Sequence, residues 1–377
     1  MTTMVPARDT EARSLADVLP SCGAALRGES NPLGLPLATG IVVVVVDGLG
    51  SAALKQRAAY ARTLTAAAET LWSGFPTTTA SALTTITTGV LPGVHGLVGY
   101  SVLDPEHDRV VRQLSGWDAG LLDPLTWQRV PTVFERLRDS GVSVHSVGPG
   151  RYAASGLTKA ILRGAAYRAA ESVGDRFEAA ASILQAPGPS LTYLYVPELD
   201  MAGHRHGWES DEWSRALEEV DSQLGRLVSG LGTGQGVLVT ADHGVVDVPA
   251  HKHVIFGDKP GLLDGVRHVG GEPRCLQLYV EPDLTQDARD RLVEAWRAAE
   301  GHRSWIATRR EAIDAGWFGP VDPAVEPRIG DLLVAARKGI AYYREADERG
   351  RSMIGQHGSW SPDETQVPLA RFGVFAR

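Results

Sequence analysis

"IVVVVVDGLG", residues 41–50, sets five valines in a row behind Ile41 and then stops at an aspartate and two glycines. A β-branched run with no polar alternation suits a strand buried on both faces, as in the middle of a parallel sheet. Similar short apolar runs recur as "VSVHSVG" (142–148), "LTYLYV" (191–196), "VLVTADHG" (237–244), "LQLYV" (276–280) and "LLVAA" (332–336). Amphipathic helical patterns such as "VPTVFERLRDSG" and "SRALEEVDSQLGRLVSGLG" lie between most of them. Strands alternating with helices predict an α/β protein around a mainly parallel central sheet. Residues from about 250 to 350 are richer in Gly, Pro and Arg, with less even strand spacing. They are expected to form a small inserted cap or lobe within one catalytic domain spanning residues 1–377.

The chain has 377 residues, 43% hydrophobic and 22% charged, with a formal net charge of -8. An acidic balance argues against a nucleic-acid polymer as partner. It leaves room for a small phosphorylated substrate whose charge is met by metal ions. Cys22 and Cys275 make no disulfide framework, so a reducing, cytoplasmic setting is expected. The opening "MTTMVPARDTEARSLADVLPSCGAALRGES" holds no apolar leader, and "IVVVVV" is too short to span a bilayer. No membrane association is expected.

In open α/β sheets, function collects beyond the carboxyl ends of the strands. Asp47 follows the first run there, Asp200 and His204 follow "LTYLYVPEL", and Asp242 and His243 follow "VLVTA". His357 sits in "IGQHGSW" near the end of the chain. Taken singly, each has an ordinary explanation: a helix cap, a turn former, a surface histidine. Together, three carboxylates and three imidazoles at strand ends point to zinc or a similar divalent ion. The four-residue spacing in "DMAGH" puts Asp200 and His204 on one helical face, and Gly244 lets the chain bend after Asp242 and His243. Six ligands divide naturally between two ions, an arrangement suited to phosphoryl transfer.

A second stretch raises its own question. "GFPTTTASALTTITTG" (74–89) crowds seven threonines into one run, and each buried hydroxyl needs a partner. The part after Pro76 reads as a loop entering a helix that ends at Gly89. A threonine at that helix start would meet an incoming phosphate beside free backbone N–H groups. Another among Thr77–Thr79 would simply cap the helix.

Asp47, "FPTTTA…TTG…PGVHG", "DMAGHRHG", "ADHG" and "QHG", in this order, resemble the alkaline phosphatase superfamily, and within it the nucleotide pyrophosphatase/phosphodiesterase branch. The resemblance runs from about residue 41 to His357 and implies a three-layer αβα fold. It implies that Thr79, last in Pro76-Thr77-Thr78-Thr79, is the nucleophile. One metal would then be held by Asp47, Thr79, Asp242 and His243, the other by Asp200, His204 and His357. Zinc is expected for the two divalent ions, with manganese the alternative. The implied reaction is in-line attack by Thr79 on a small phosphodiester or phosphoanhydride, nucleotides included, giving a phosphothreonine that water hydrolyses.

One departure stands out. Where the branch carries "FPN" after the nucleophile, with an Asn that donates to a phosphoryl oxygen, this chain has Ala80-Ser81-Ala82. The Ala80 N–H, Ser81 or Arg274 are the expected substitutes. No basic residue lies within 74–89, which favours a diester over a phosphomonoester. An arginine of the inserted lobe (Arg267, Arg274 or Arg328) could reverse that preference. A phosphonate C–P hydrolase is a further option on the same ligand set. The sulfatase branch needs a Cys or Ser followed by Pro and Arg, which is absent, and the ligand spacings of the manganese mutases are not found. A non-catalytic binding protein with a degenerate site is disfavoured, because no ligand is missing. His95 reads as structural, His206 and Trp208 as pocket mouth or surface loop. His251, Lys252, His253 and His268 read as solvated surface. Trp117, Trp208 and Tyr100 are candidates for stacking on a base.

Overall fold

The computed structural model describes residues 5–117, 120–257 and 259–377. The elements that position the site are β1 (Gly40–Val46), β2 (Ala68–Trp72), α1 (Thr79–Thr88), β3 (Ser143–Gly148), β4 (Ala166–Ala169), β5 (Ser190–Val196), α2 (Glu198–His206) and β6 (Gln235–Thr240). They are followed by β7 (Val266–Glu272), β8 (Cys275–Val280), β9 (Ser304–Thr308), β10 (Leu332–Ala336) and β11 (Gln366–Gly373). Seven of these strands form the main sheet, in the order β2-β11-β6-β1-β5-β3-β4. β1 runs parallel to both of its neighbours, while β11 is antiparallel to β6 and β2. The all-valine run is therefore central, and every residue of it is buried.

Helices cover both faces of this sheet. Val18–Leu26, α1 and Val133–Asp139 pack together on one side, and Val173–Leu184 and Asp211–Ser229 pack together on the other. The α/β fold with a mainly parallel sheet is thus as the sequence implies. A second sheet, β7-β8-β10-β9, is built from residues within 266–336. It has its own core around Val254, Phe256, Leu278, Trp296, Val334 and Tyr342.

Register sets the location of the site. Val46 pairs with Val196, and Val45 with Thr240, so β1, β5 and β6 end level with one another. Asp47, Asp200 and Asp242 follow those three ends and share one edge. Two glycines make the close approach possible. A Cβ on Gly48 (φ 75°) would lie 3.0 Å from the Asp200 Cα, and one on Gly244 would lie 2.0 Å from the Asp363 carbonyl oxygen. Gly244 is needed for that close approach, and its φ is not positive. His357 is delivered by a short pairing of Gly355 and Gln356 with Asp247 and Val246, just past β6.

Candidate active site

The seven threonines of 74–89 resolve into two kinds. Thr84, Thr85, Thr87 and Thr88 each donate to the carbonyl four residues back, at 2.6 to 3.0 Å, which satisfies them inside α1. Thr77 is fixed between the Ser359 carbonyl and the Gly358 N–H. Thr78 is the extended N-cap residue of α1 and its side chain bonds Glu272. Thr79 opens the helix, and its Oγ1 lies 3.2 Å from His243 Nε2.

Around that hydroxyl the six acidic and imidazole groups gather in two clusters. Asp47, Asp242 and His243 form one, and Asp200, His204 and His357 the other; within each, the ligand atoms lie within 4.8 Å of one another. The two adjoin, since the His243 and His357 rings stack with centroids 3.7 Å apart.

Every imidazole is oriented the same way. His204 Nδ1 donates to the Gly355 carbonyl (2.7 Å), His357 Nδ1 to the Thr77 carbonyl (2.7 Å) and His243 Nδ1 to the Gly244 carbonyl (3.3 Å). A carbonyl can only accept, so each Nδ1 holds a proton and each Nε2 faces inward. Burial keeps His243 and His357 neutral, with an Nε2 lone pair, while Asp200 raises His204 and takes its Nε2–H. Asp47 Oδ1, Asp200 Oδ1 and Asp242 Oδ2 are buried and have no hydrogen-bond partner among the described residues. Buried oxygens of that kind need an explanation.

Electrostatics sharpen it. Burial, together with Asp242 and Asp200, holds the Asp47 carboxyl well above the usual carboxylate range. Burial and Asp200 push Asp242 up to about 7. Burial also opposes charge on Asp200, but the charge and hydrogen bond of His204, together with His357, outweigh it and keep this carboxyl low. Burial brings His243 down to about 3, with His204 adding to the effect, and His357 is brought well below its ordinary value by burial and His243. The pocket is short of positive charge.

Divalent ions fit these groups. Two ligands on one tetrahedral zinc, each at its usual bond length, lie about 3.4 Å apart. His243 Nε2 is 3.5 Å from Asp47 Oδ1 and 3.4 Å from Asp242 Oδ2, and His204 Nε2 is 3.2 Å from Asp200 Oδ2. Inward-facing Nε2 atoms and unpartnered carboxylate oxygens at that spacing are what a bound cation would use.

Behind Asp47 stands a residue the sequence reading overlooked. The Tyr195 hydroxyl donates to Asp47 Oδ2, which leaves Oδ1 facing the cluster. Partners of this kind orient metal ligands. Tyr195→Phe is expected to weaken zinc affinity by about tenfold, measured by competition with a chromogenic chelator; unchanged affinity would mean the bond does not matter.

Beside Thr79, Asp47 and Asp200 opens a cavity of about 410 Å³. Its walls come mostly from segments within 114–201, with Arg151, Tyr152, Tyr167, Tyr193 and Tyr195 among the polar-tipped members and Leu157 and Ile161 among the apolar ones, and Leu83 joins them from α1. Trp117, Trp208 and Tyr100 do not line it, and neither does any residue of 250–350. The overlooked residues did carry a signal: Arg151 follows the end of β3, and Tyr193 and Tyr195 alternate along β5 just before Asp200.

Arg274, expected at the substrate, lies elsewhere. It is buried and holds Glu364 through two bonds, at 2.9 and 2.6 Å, while its other N–H groups go to the carbonyls of Ala336, Lys338 and Ile340. Glu364 also accepts from the Ser359 N–H, two residues past His357. The pair therefore supports the His357 loop. Arg274→Ala leaves a buried carboxylate unpaired and is expected to cost about 3–5 kcal/mol of stability, read from chemical denaturation. Arg328 is likewise occupied, by the carbonyls of Gly96 and Trp127, and Arg267 pairs with Asp108. Ser81 and Ala80 are both buried, and neither lines the cavity. His95 bonds Thr85 and accepts from the Leu97 N–H, a purely internal role. His206 and His251 are exposed, while His253 reaches the Val248 carbonyl and His268 pairs with Asp108.

The fold and the paired clusters define an α/β protein of the phosphoesterase type. The family profile of type I phosphodiesterase / nucleotide pyrophosphatase matches residues 41–360, and the chain belongs to that family. It is 24% identical over 279 residues to an uncharacterized pyrophosphatase/phosphodiesterase of Schizosaccharomyces pombe, covering 67% of this chain and 53% of that protein. It is 27% identical over 206 residues to mouse ectonucleotide pyrophosphatase/phosphodiesterase family member 1, covering 52% of this chain and 22% of the mouse protein. A phosphopentomutase of Anaeromyxobacter dehalogenans, from a class the ligand spacing had set aside, is 34% identical over 117 residues, covering 30% of this chain and 28% of the mutase. The matches thus span about half the length of the first of these relatives and about a quarter of the other two. Among solved structures, murine ectonucleotide pyrophosphatase/phosphodiesterase 5, an inactive threonine-to-alanine variant in complex with AMP, superposes with a TM-score of 0.65 at 17% identity over 88% of this chain and 87% of that one. Phosphonoacetate hydrolase of Sinorhizobium meliloti with phosphonoacetate gives 0.68 at 20% identity over 89% and 91%.

Proposed function

We propose that this chain hydrolyses a small phosphodiester or phosphoanhydride, of the kind a nucleotide presents, with Thr79 as nucleophile at a two-metal site. The observation that carries the reading is the set of three inward-facing imidazole Nε2 atoms and three unpartnered carboxylate oxygens beside one buried threonine hydroxyl. Asp47, Thr79, Asp242 and His243 would hold one divalent ion, and Asp200, His204 and His357 the other; this donor set suits zinc and manganese alike. When bound, such ions stabilise the attacking and leaving oxygens of an in-line displacement. The residues of the chain supply the nucleophile and its alignment. Thr79 Oγ1 bonds to phosphorus as the leaving oxygen departs, and water then cleaves the phosphothreonine to restore the hydroxyl. The first-turn N–H groups of α1 are aimed where phosphoryl oxygens would gather. Family membership supports this chemistry, and AMP in the murine neighbour supports a nucleotide-like substrate. The catalytic unit is read as one domain with the second sheet as an inserted lobe, and its two buried, unpaired cysteines suit the cytoplasm.

One observation favours a second reading. Arg151 lines the cavity, and a phosphomonoesterase on the same site would use such a cation for the extra charge of a monoester. The deciding measurement is hydrolysis of a nitrophenyl phosphodiester against a nitrophenyl phosphomonoester, with zinc or manganese added. Faster diester cleavage is the expected result. Arg151→Ala is then expected to lower monoester cleavage by about tenfold while leaving the diester nearly untouched. A monoester preference in the wild type would transfer the assignment to the phosphatase side.

A further inference from the structure

Of the four tyrosines lining the cavity, Tyr167, Tyr193 and Tyr195 have hydroxyls with distinct circumstances. Tyr167 donates to the Pro149 carbonyl at 2.8 Å, and Tyr195 donates to Asp47. Tyr193 is 2% exposed, lines the same cavity as Thr79 and Asp47, and its hydroxyl has no partner among the described residues. Burying a phenol without a partner is unfavourable, and phenylalanine would fill the same space at no such cost.

The side chain is also well placed. Tyr193 and Tyr195 are two apart on β5 and share a face. That face carries Val133–Asp139, since Phe134 packs edge-on against the Tyr193 ring at 6.1 Å. The same helix layer includes α1, with Thr79 at its start. From its first two turns α1 contributes only Thr79 and Leu83 to the cavity, so no side-chain donor besides the nucleophile comes from that element. A phosphoryl group on Thr79 would meet backbone N–H groups on the α1 side, and on the β5 side the Tyr193 hydroxyl is the cavity-lining donor that is buried and has no partner among the described residues. A phenol is protonated at neutral pH and can donate.

We propose that Tyr193 is a catalytic residue whose hydroxyl donates a hydrogen bond to a non-bridging phosphoryl oxygen of the group held at Thr79. This rests on the phosphoryl-transfer reading above. The donor stays protonated throughout, so no proton is transferred and the bonds made and broken remain those at Thr79.

Tyr193→Phe removes one buried oxygen and keeps the ring. It is expected to lower kcat for the nitrophenyl diester by about a hundredfold, as for loss of one transition-state donor. Zinc content should stay at the wild-type level, and the melting temperature should be equal or higher. A second readout is orthovanadate binding to the zinc-loaded protein, expected to weaken by about tenfold to a hundredfold in the variant. Activity within threefold of wild type, in an enzyme that Thr79→Ala inactivates, would overturn the Tyr193 role and leave the Thr79 reading intact. Were Thr79→Ala still active, the Thr79 reading would fail on its own, and vanadate would decide about Tyr193. Equal vanadate affinity in the two proteins, or none in either, overturns the proposal; weaker affinity in the variant supports it.

Discussion

Thr79→Ala is expected to lower kcat by about a thousandfold or more, with a folded protein that keeps its acidic and imidazole clusters. Thr79 occupies the first helical position, and the capping residue is its neighbour Thr78, so α1 retains its start in the variant. What disappears is the one hydroxyl that faces both the His243 Nε2 and the cavity. Thr79→Ser keeps that oxygen and should stay within about tenfold of wild type. Wild-type enzyme quenched in acid during turnover should carry phosphate on the peptide containing Thr79, and the alanine variant none. A variant retaining a tenth or more of wild-type turnover would sink the assignment. The adjacent threonines could not then inherit the role easily, because Thr77 is fixed by Ser359 and Gly358 and Thr78 is bound to Glu272. Direct attack by water would become the better account.

Much of this layout was legible in the chain because a parallel sheet turns sequence order into a shared edge. The runs at 41–46, 191–196 and 237–240 ended at the same rim, so Asp47, Asp200 and Asp242 could be grouped without knowing how the strands were ordered. The central place of "IVVVVV" followed from its lack of alternation, and the structure buries all of it. Thr77–Thr79 could be separated from the other threonines only as loop against helix. The structure adds the reason the remainder tolerate burial, namely bonds to carbonyls one turn back. What local pattern could not reach was the wall of the cavity. It is assembled from residues on β3, β5 and the segments after them, brought together by pairing between distant strands. Arg274 was misplaced for the same reason. Its partner Glu364 lies ninety positions away, and nothing in the sequence around Arg274 announces a buried pair.

Asp242→Asn should act in opposite directions on the stability of the metal-free protein and on the stabilisation that zinc adds. In the absence of metal, Asp242 titrates near 7 because burial and the Asp200 charge disfavour its ionised form. An unfolded aspartate titrates near 3.9. Between about pH 4 and 7 the folded chain therefore binds more protons at this position than the unfolded chain, and stability from this group falls as pH rises. Above about 7 the loss is complete, on the order of 4 kcal/mol. Asparagine cannot ionise, and its oxygen can still accept from the N–H groups of Gly48 and His243 that now bond Asp242. The metal-free variant should thus be more stable than metal-free wild type at pH 8 and about equal to it at pH 4. His243 and His357, held low by burial, pull stability the other way below about 6.5 in both proteins. The difference between the two melting curves is accordingly the quantity to follow, in chelator, from pH 4 to 8. With zinc the gap should narrow, since a ligand that binds only the folded state stabilises by about 2.7 kcal/mol at a hundred times its dissociation constant and the wild type gains more of this than the variant. The variant, short of one carboxylate charge, should bind it more than about a hundredfold more weakly and lose turnover with it. A metal-free variant no more stable than wild type at pH 8 would show that the charge on Asp242 is already compensated within the chain, and the case for a cation there would lose its electrostatic half.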